Sequence, residues 1–220
     1  MITIAIDGPA GAGKSSAAKR LAQELSISYL DTGAMYRALG LKALRLGFAP
    51  SDEEKVVPMM AGTSLDVQYS EGRQRVLLDG EDVSGLIRSN EVSRAASDIS
   101  VIAEVRAQMV KLQQKIAQGK SVVMDGRDIG TVVLPQADFK FFVTASPRER
   151  AKRRFLELAQ RGIHDKSLEE LEREIVERDY QDTHRAHAPL RMAEDGILVD
   201  TSEMTLEEAV EFMIRQIQAR

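Results

Sequence analysis

Short solid apolar runs alternate with longer amphipathic stretches along the chain, a pattern that predicts strands leading into helices. Residues 2–7, Ile2-Thr3-Ile4-Ala5-Ile6-Asp7, form an apolar, β-branched run of the kind buried in a parallel sheet. The pattern turns helical from Ser16 to Leu25 and returns as a short strand at residues 27–31. It is helical again from Gly33 to Leu46, where Met35, Leu39, Leu41 and Leu44 are expected to share a face. Ser51-Asp52-Glu53-Glu54 reads as a capping box opening a further helix, which Pro58 should end or kink. Between residues 64 and 83 the texture changes. Runs at 65–69 and 75–79 flank a polar turn at Ser70-Glu71-Gly72, and Asp79-Gly80 marks a second turn, so a small antiparallel meander is expected.

A helical pattern covers residues 91–118, and a buried strand at 121–125 ends in an acid, Asp125. Residues 139–143 form the next strand, followed by a helix from Pro147 to Gln160 with proline in its first turn. Ser167 with Glu170, and Thr205 with Glu208, read as capping boxes for the last two helices, with a strand at 197–200 between them. The expected fold class is therefore α/β: a parallel sheet flanked by helices, one domain over residues 1–220, with a small antiparallel β insert at about 62–87.

Composition narrows the setting. A chain of 220 residues can bury one substantial core, and the absence of cysteine suits a cytoplasmic location. No basic, apolar leader and no bilayer-length apolar run is seen, so a soluble protein without a membrane partner is expected. The net charge of −4 and the sparse aromatics argue against a nucleic-acid partner. Charged stretches such as residues 168–175 read as solvated helix faces.

The most specific chemistry lies at Gly8-Pro9-Ala10-Gly11-Ala12-Gly13-Lys14-Ser15, which fits the phosphate-loop pattern G-x-x-x-x-G-K-[ST] between the first strand and first helix. Its glycines let successive N–H groups face phosphates, the helix N-terminus adds partial positive charge, and Ser16 continues the cradle. The residues Gly8 to Ser16 are thus expected to hold a nucleoside triphosphate, with Lys14 on its β- and γ-phosphates and Ser15 on Mg²⁺. Asp125, at the end of its strand, is expected either to organise Mg²⁺ through water or to serve as a structural partner to the loop. A guanine reader of the Asn-Lys-x-Asp type is missing, since the only asparagine, Asn90, precedes Glu91. Arginines cluster instead at Asp31-Thr32-Gly33-Ala34-Met35-Tyr36-Arg37, at Asp125-Gly126-Arg127-Asp128 and along residues 178–185. Open parallel sheets bind ligands at the carboxyl ends of their strands, where the first two clusters begin. Phosphoryl transfer between two anions requires several such cations. His184 and His187 lack a third partner at a metal-site spacing, so a structural role is expected for them.

Taken together, these segments resemble the bacterial cytidylate kinase family over nearly the whole chain. The resemblance is carried by the loop, by residues 30–37, by Gly80-Glu81-Asp82-Val83 and by residues 92–106. It continues through Asp125-Gly126-Arg127-Asp128-Ile129-Gly130-Thr131, Glu149-Arg150-Ala151-Lys152-Arg153-Arg154 and residues 177–190. It implies a P-loop kinase acting on CMP and dCMP with ATP and Mg²⁺, working as a monomer. Another small-molecule kinase, for UMP or of shikimate type, and a nucleotide-sensing module are the alternatives. By similarity Asp128 faces the cytosine amino group, with Thr32, Ser97 and Arg106 around the base. Arg37, Arg127 and Arg185 are assigned to the acceptor phosphate, and Arg178 with Asp182 to the sugar. The meander resembles the family's extended monophosphate-binding region, and residues of about 148–165 its helical lid. Arg153 or Arg154 is the expected reaching residue, while Arg150 and Lys152 are open to a reading as solvated helix face. With Lys14 and Arg127 these two lid arginines make up the expected catalytic set, and Asp200-Thr201-Ser202 resembles the backbone placed around adenine.

Overall fold

The solid apolar runs become strands and the amphipathic stretches helices in the computed structural model, which describes residues 1–70, 73–160 and 162–219. Glu71 and Gly72 of the expected polar turn lie outside the described residues. In chain order, β1 (Thr3–Asp7) leads to α1 (Lys14–Glu24), β2 (Ser28–Asp31), α2 (Thr32–Arg45) and α3 (Glu53–Ala61). Then come β3 (Leu65–Ser70), β4 (Arg73–Leu78), β5 (Glu81–Asp82), a 3₁₀ turn (Leu86–Arg88), α4 (Asn90–Ile99) and α5 (Ala103–Ala117). The last part holds β6 (Val122–Gly126), a π-helical turn (Ile129–Val133), β7 (Phe139–Thr144), α6 (Pro147–Gln160), α7 (Leu168–His184), β8 (Ile197–Asp200) and α8 (Leu206–Gln218). The chain divides into two compact units, one of Met1–Tyr29 with Gly119–Arg220, the other of Leu30–Gln118.

The first unit is built on a sheet of strand order β2-β6-β1-β7-β8. Its ladders β1–β6, β1–β7 and β7–β8 are parallel, with Asp7 level with Gly126 on one side and Phe142 on the other. The carboxyl ends of β1 and β6 therefore lie side by side, which is where the phosphate loop and the Arg127-Asp128 segment leave the sheet. Ile4, Ile6, Phe141 and Val143 pack with Ala17, Ala18 and Leu21 of α1 and with Val210 and Met213 of α8. Completely buried apolar strands of this kind are what a sheet covered by helices demands. A smaller cluster, Ala151, Leu158 and Leu171 with Leu168 and Ile175, zips α6 to α7. The capping boxes expected at Ser167 and Thr205 both form: Glu170 accepts from the Ser167 N–H at 2.7 Å, and Glu208 from the Thr205 N–H at 2.8 Å.

In the second unit, Asp31 caps α2 by accepting the Ala34 N–H at 2.8 Å. The three strands β3-β4-β5 form the expected antiparallel meander, with Leu65 opposite Leu78 and Val67 opposite Val76. Asp79 and Gly80, at φ 51° and 88°, supply the left-handed pair that a tight β4–β5 hairpin requires. Val76, Leu78, Val83 and Ile87 bury against Ala34 and Ala38 of α2 and Val92 of α4. Helices α2 and α4 meet at Gly40, where a Cβ would lie 2.9 Å from the Ala96 nitrogen.

Four local expectations are corrected. Leu41 and Leu44 face the meander with Ala34 and Ala38, whereas Met35 and Leu39 are fully buried outside that cluster. At about 100° per residue, the two pairs cannot share one face. Asp52, rather than Ser51, precedes α3, and its carboxylate pairs with Lys55 at 3.0 Å without capping the helix. Helix α3 also runs three residues past Pro58, so of the expected end or kink it is the end that is corrected. The single helical pattern at 91–118 breaks at Ser100–Ile102 into α4 and α5.

Candidate active site

The phosphate loop is shaped by three glycines at φ 144°, 76° and 84°, namely Gly8, Gly11 and Gly13. A Cβ at Gly8 would stand 1.9 Å from the Val143 carbonyl oxygen, so the close approach of loop to β7 admits glycine alone. Gly13 immediately precedes α1 and offers no side-chain cap, leaving the first helical N–H groups to whatever anion approaches. The loop carbonyls, by contrast, are turned into the protein. Pro9 O accepts from Lys14 Nζ at 2.6 Å, Ala10 O from Arg150 Nη1 at 3.2 Å, and Ala12 O from Thr201 Oγ1 at 3.1 Å.

Ser15 is exposed and donates from Oγ to Asp125 Oδ2 at 2.6 Å, while Tyr29 donates to the other oxygen of that carboxylate at 2.8 Å. A hydroxyl beside a carboxylate is a hard oxygen pair of the type that suits Mg²⁺. Among the described residues no group of three or more His, Cys, Asp or Glu gathers as a cage for a metal. Mg²⁺ commonly keeps waters and takes substrate phosphates as its remaining ligands, so the two-donor arrangement fits it.

Lys14 is buried, and burial first, then Arg127, push its ammonium well below the usual lysine range, against Asp125, Asp182 and Asp7. The charges of a polyphosphate would act in the same sense as those carboxylates. Arg127 Nε donates to Asp182 Oδ2 at 2.7 Å. Burial raises Asp182, but Arg127, Arg178 and Arg185 outweigh it and hold the carboxyl below its ordinary range. Asp128 is buried at the start of the π-helical turn, with Arg185 Nη2 3.9 Å from its Oδ1. The backbone of that turn is fixed by Asp7, whose two oxygens accept the Ile129 and Gly130 N–H groups at 2.7 Å each. One network thus joins Lys14, Asp125, Arg127, Asp128, Asp182 and Arg185, with Arg178 acting on Asp182.

On α6 the arginines divide. Arg150 is buried and bonded to Ala10 O, Ala145 O and Asp179, which ends its reading as solvated helix face. Arg153 donates to Thr201 Oγ1 at 3.1 Å and to the Thr201 carbonyl, and Arg154 pairs with Glu157 at 2.6 Å. His184 stacks on Tyr180 with ring centroids 4.0 Å apart.

Within the second unit, Arg37 Nη2 donates to Asp31 Oδ2 at 2.8 Å, and a Cβ at Gly33 would press on both side chains. Gln74 of β4 accepts the Asp31 N–H at 2.7 Å, so the meander is tied to the start of α2 next to the buried Thr32. Arg106 is buried, donates to Ser100 O at 3.1 Å, and lies 5.9 Å from the Tyr36 ring centroid, within cation–π range. Ser97, half-buried on α4, precedes it by less than one helix and a turn.

Sequence reading missed Asp7, Gln74, Arg150 as an anchor, Asp179 and the Thr201 side chain. Only Asp7 carried a usable signal, an acid on the last residue of a buried strand directly before the loop.

A family model described as cytidylate kinase matches residues 4–219. A cytidylate kinase of Caldicellulosiruptor bescii is 53% identical over 210 residues, covering 96% of this chain and 92% of that one. A cytidylate kinase of Caldanaerobacter subterraneus is 52% identical over 217 residues, covering 99% and 95%. Among solved structures, a gluconokinase from Sinorhizobium meliloti superposes with a TM-score of 0.50 at 13% identity over 99% of this chain and 94% of its own, a likeness of fold alone.

Proposed function

The chain belongs to the cytidylate kinase family and is a nucleoside monophosphate kinase, and we propose that the residues described above divide the transfer of a γ-phosphoryl from ATP to CMP or dCMP among them. The observation that carries this division is the network of the buried Lys14, Asp125 and Asp182 with the half-buried Arg127 where β1 and β6 end side by side. The backbone N–H groups of Gly8 to Ser16 take the donor phosphates, and Lys14 bridges the β- and γ-groups. Ser15, and Asp125 through water, would hold Mg²⁺, which when bound offsets phosphate charge. Arg37, Arg127 and Arg185 bind the acceptor phosphate, and Asp182 with Arg178 binds the sugar.

The Asp128 carboxylate accepts from the cytosine N4 amino group, and Thr32, Ser97 and Arg106 supply donors for the other ring positions. Uracil presents an acceptor where cytosine presents that donor, so Asp128 should favour CMP over UMP roughly a hundredfold or more. The acceptor phosphate is already anionic near neutral pH, so transfer proceeds in line without a general base and depends on positioning and charge relief. Arg153 and Arg154 of α6 complete the water-excluding side as the lid, and the meander serves as the monophosphate-binding insert. The enzyme works as a cytoplasmic monomer; no described helix is long and apolar enough to cross a membrane.

The test is MgATP-dependent ADP formation with CMP, dCMP, UMP, AMP and shikimate offered separately to wild type and to Asp128→Ala. Preference for CMP and dCMP that collapses in Asp128→Ala, with ATP affinity kept, is the expected result. Equal loss of CMP turnover and ATP affinity would remove Asp128 from the base-reading role.

A further inference from the structure

The phosphate loop can present N–H groups on one side because its carbonyls are held on the other. In a trans peptide the carbonyl of one residue and the N–H of the next point in opposite directions within one plane. Whatever fixes the Ala10 carbonyl therefore fixes the direction of the Gly11 N–H. Gly11, at φ 76°, lacks the side chain that would otherwise restrict its backbone. The Ala10 oxygen is held by Arg150 Nη1 at 3.2 Å. The guanidinium is itself fixed by three further bonds: Nε to Ala145 O at 2.8 Å, Nη1 to Asp179 Oδ1 at 2.9 Å and Nη2 to Asp179 Oδ2 at 2.5 Å. Its stem backs the loop as well, since a Cβ at Gly11 would sit 3.4 Å from the Arg150 Cβ. With only 3% of its surface exposed, Arg150 acts from behind the loop.

We propose that Arg150, oriented by its bidentate bond to Asp179, is a positioning residue that sets the Ala10–Gly11 peptide plane and so aims the Gly11 N–H at the donor phosphates. A charged donor on the carbonyl also polarises that peptide and strengthens the N–H opposite. The preceding plane and the one two peptides further on have their own anchors, Lys14 Nζ on Pro9 O and Thr201 Oγ1 on Ala12 O, so the effect of Arg150 centres on the Gly11 N–H. Lysine cannot replace it, because a single ammonium cannot reproduce the planar fork on a carboxylate. The inference rests on the reading that the loop holds ATP, and is independent of which acceptor is used.

The experiment compares wild type, Arg150→Lys and the gentler Asp179→Asn, each labelled with ¹⁵N-glycine. It reads the Kd of a non-hydrolysable ATP analogue by calorimetry, the KM for CMP, and the Gly11 amide resonance. The expected result is a Kd raised about tenfold in Arg150→Lys and roughly threefold in Asp179→Asn, the scale of one charge-assisted hydrogen bond. KM for CMP should stay within about twofold, and the Gly11 resonance should move while those of Gly47 and Gly119 stay. Unchanged analogue affinity in both variants overturns the proposal, as does an equal loss of ATP and CMP affinity with an unmoved Gly11 resonance, which marks a purely structural ion pair. Failure of wild type to bind the analogue overturns the reading of the loop itself and the proposal with it.

Discussion

Replacing Gly8 by alanine tests the coupling of loop shape to catalysis most directly. The new Cβ would lie 1.9 Å from the Val143 carbonyl oxygen and 2.9 Å from its carbon, both backbone atoms of a central strand. Relieving the contact requires a displacement of roughly 1 Å, either of β7 against β1 or of the loop away from the sheet. The first route breaks a ladder in which Asp7 is level with Phe142. The second moves the donors that face the phosphates. Backbone strain at φ 144° adds about 1–3 kcal/mol to an overpacking cost of about the same size, for a total near 2–6 kcal/mol. A misplacement of this size should lower kcat/KM for ATP by about a hundredfold. Gly47→Ala is the control: φ is also positive, at 70°, but nothing lies within 4 Å. It should cost only about 1–2 kcal/mol and leave the kinetics alone. Urea unfolding and ATP-dependent turnover of both variants decide the matter. A Gly8→Ala protein with stability within 1 kcal/mol of wild type and near-normal kcat/KM, on the order of the Gly47 control, would refute the steric reasoning.

Three further outcomes are expected. Lys14→Met keeps the buried stem and removes the ammonium, so turnover should fall on the order of a hundredfold or more with the far-ultraviolet dichroism unchanged; near-normal turnover would exclude Lys14 from the chemistry. Burial, partly offset by the Gly130 and Ile129 N–H groups, raises the Asp7 carboxyl from 3.8 to about 6, so the folded protein holds this proton where the unfolded chain has released it. The group's contribution to stability is therefore full below pH 4 and lost as pH rises to 6, by about 3 kcal/mol; urea midpoints of wild type and Asp7→Asn across that window should diverge accordingly, and a pH-independent difference would count against it. Gly40→Ala presses a methyl onto the Ala96 nitrogen and Ala95 Cβ where α2 meets α4; it should cost about 1–3 kcal/mol and raise KM for CMP while ATP-analogue affinity holds.

The parts of the molecule legible in the sequence are those whose cause is local. The phosphate loop is eight contiguous residues, and the boxes at Ser167 and Thr205 need only the next three residues to form. The box at Ser51 failed for an equally local reason, because Asp52 took the position before the helix and Lys55 took its carboxylate. Arg150 was illegible because its fate is decided by Asp179, 29 residues away, and Thr201 because its partner Ala12 is 189 residues away. Nothing in the stretch Glu149-Arg150-Ala151-Lys152-Arg153-Arg154 distinguishes Arg150 as the buried arginine among its basic residues. The roles of Thr32 and Arg106 came from family resemblance, since burial of a threonine or an arginine leaves no mark on its neighbours in sequence.

The strand order has a consequence for how the protein is made. Strand β1 is flanked by β6 and β7, and its first tie to the β6 edge, Ile2 to Ser121, spans 119 residues. A ribosome adding about 5–20 residues per second leaves β1 without either neighbour for roughly 6–24 s. Residues 30–118 of the second unit are made during that same interval, so the unit is complete just before β6 emerges, and its folding shortens the loop that must close before the sheet assembles. The phosphate-binding segment is thus translated before both strands that flank β1 and gains its shape only after them.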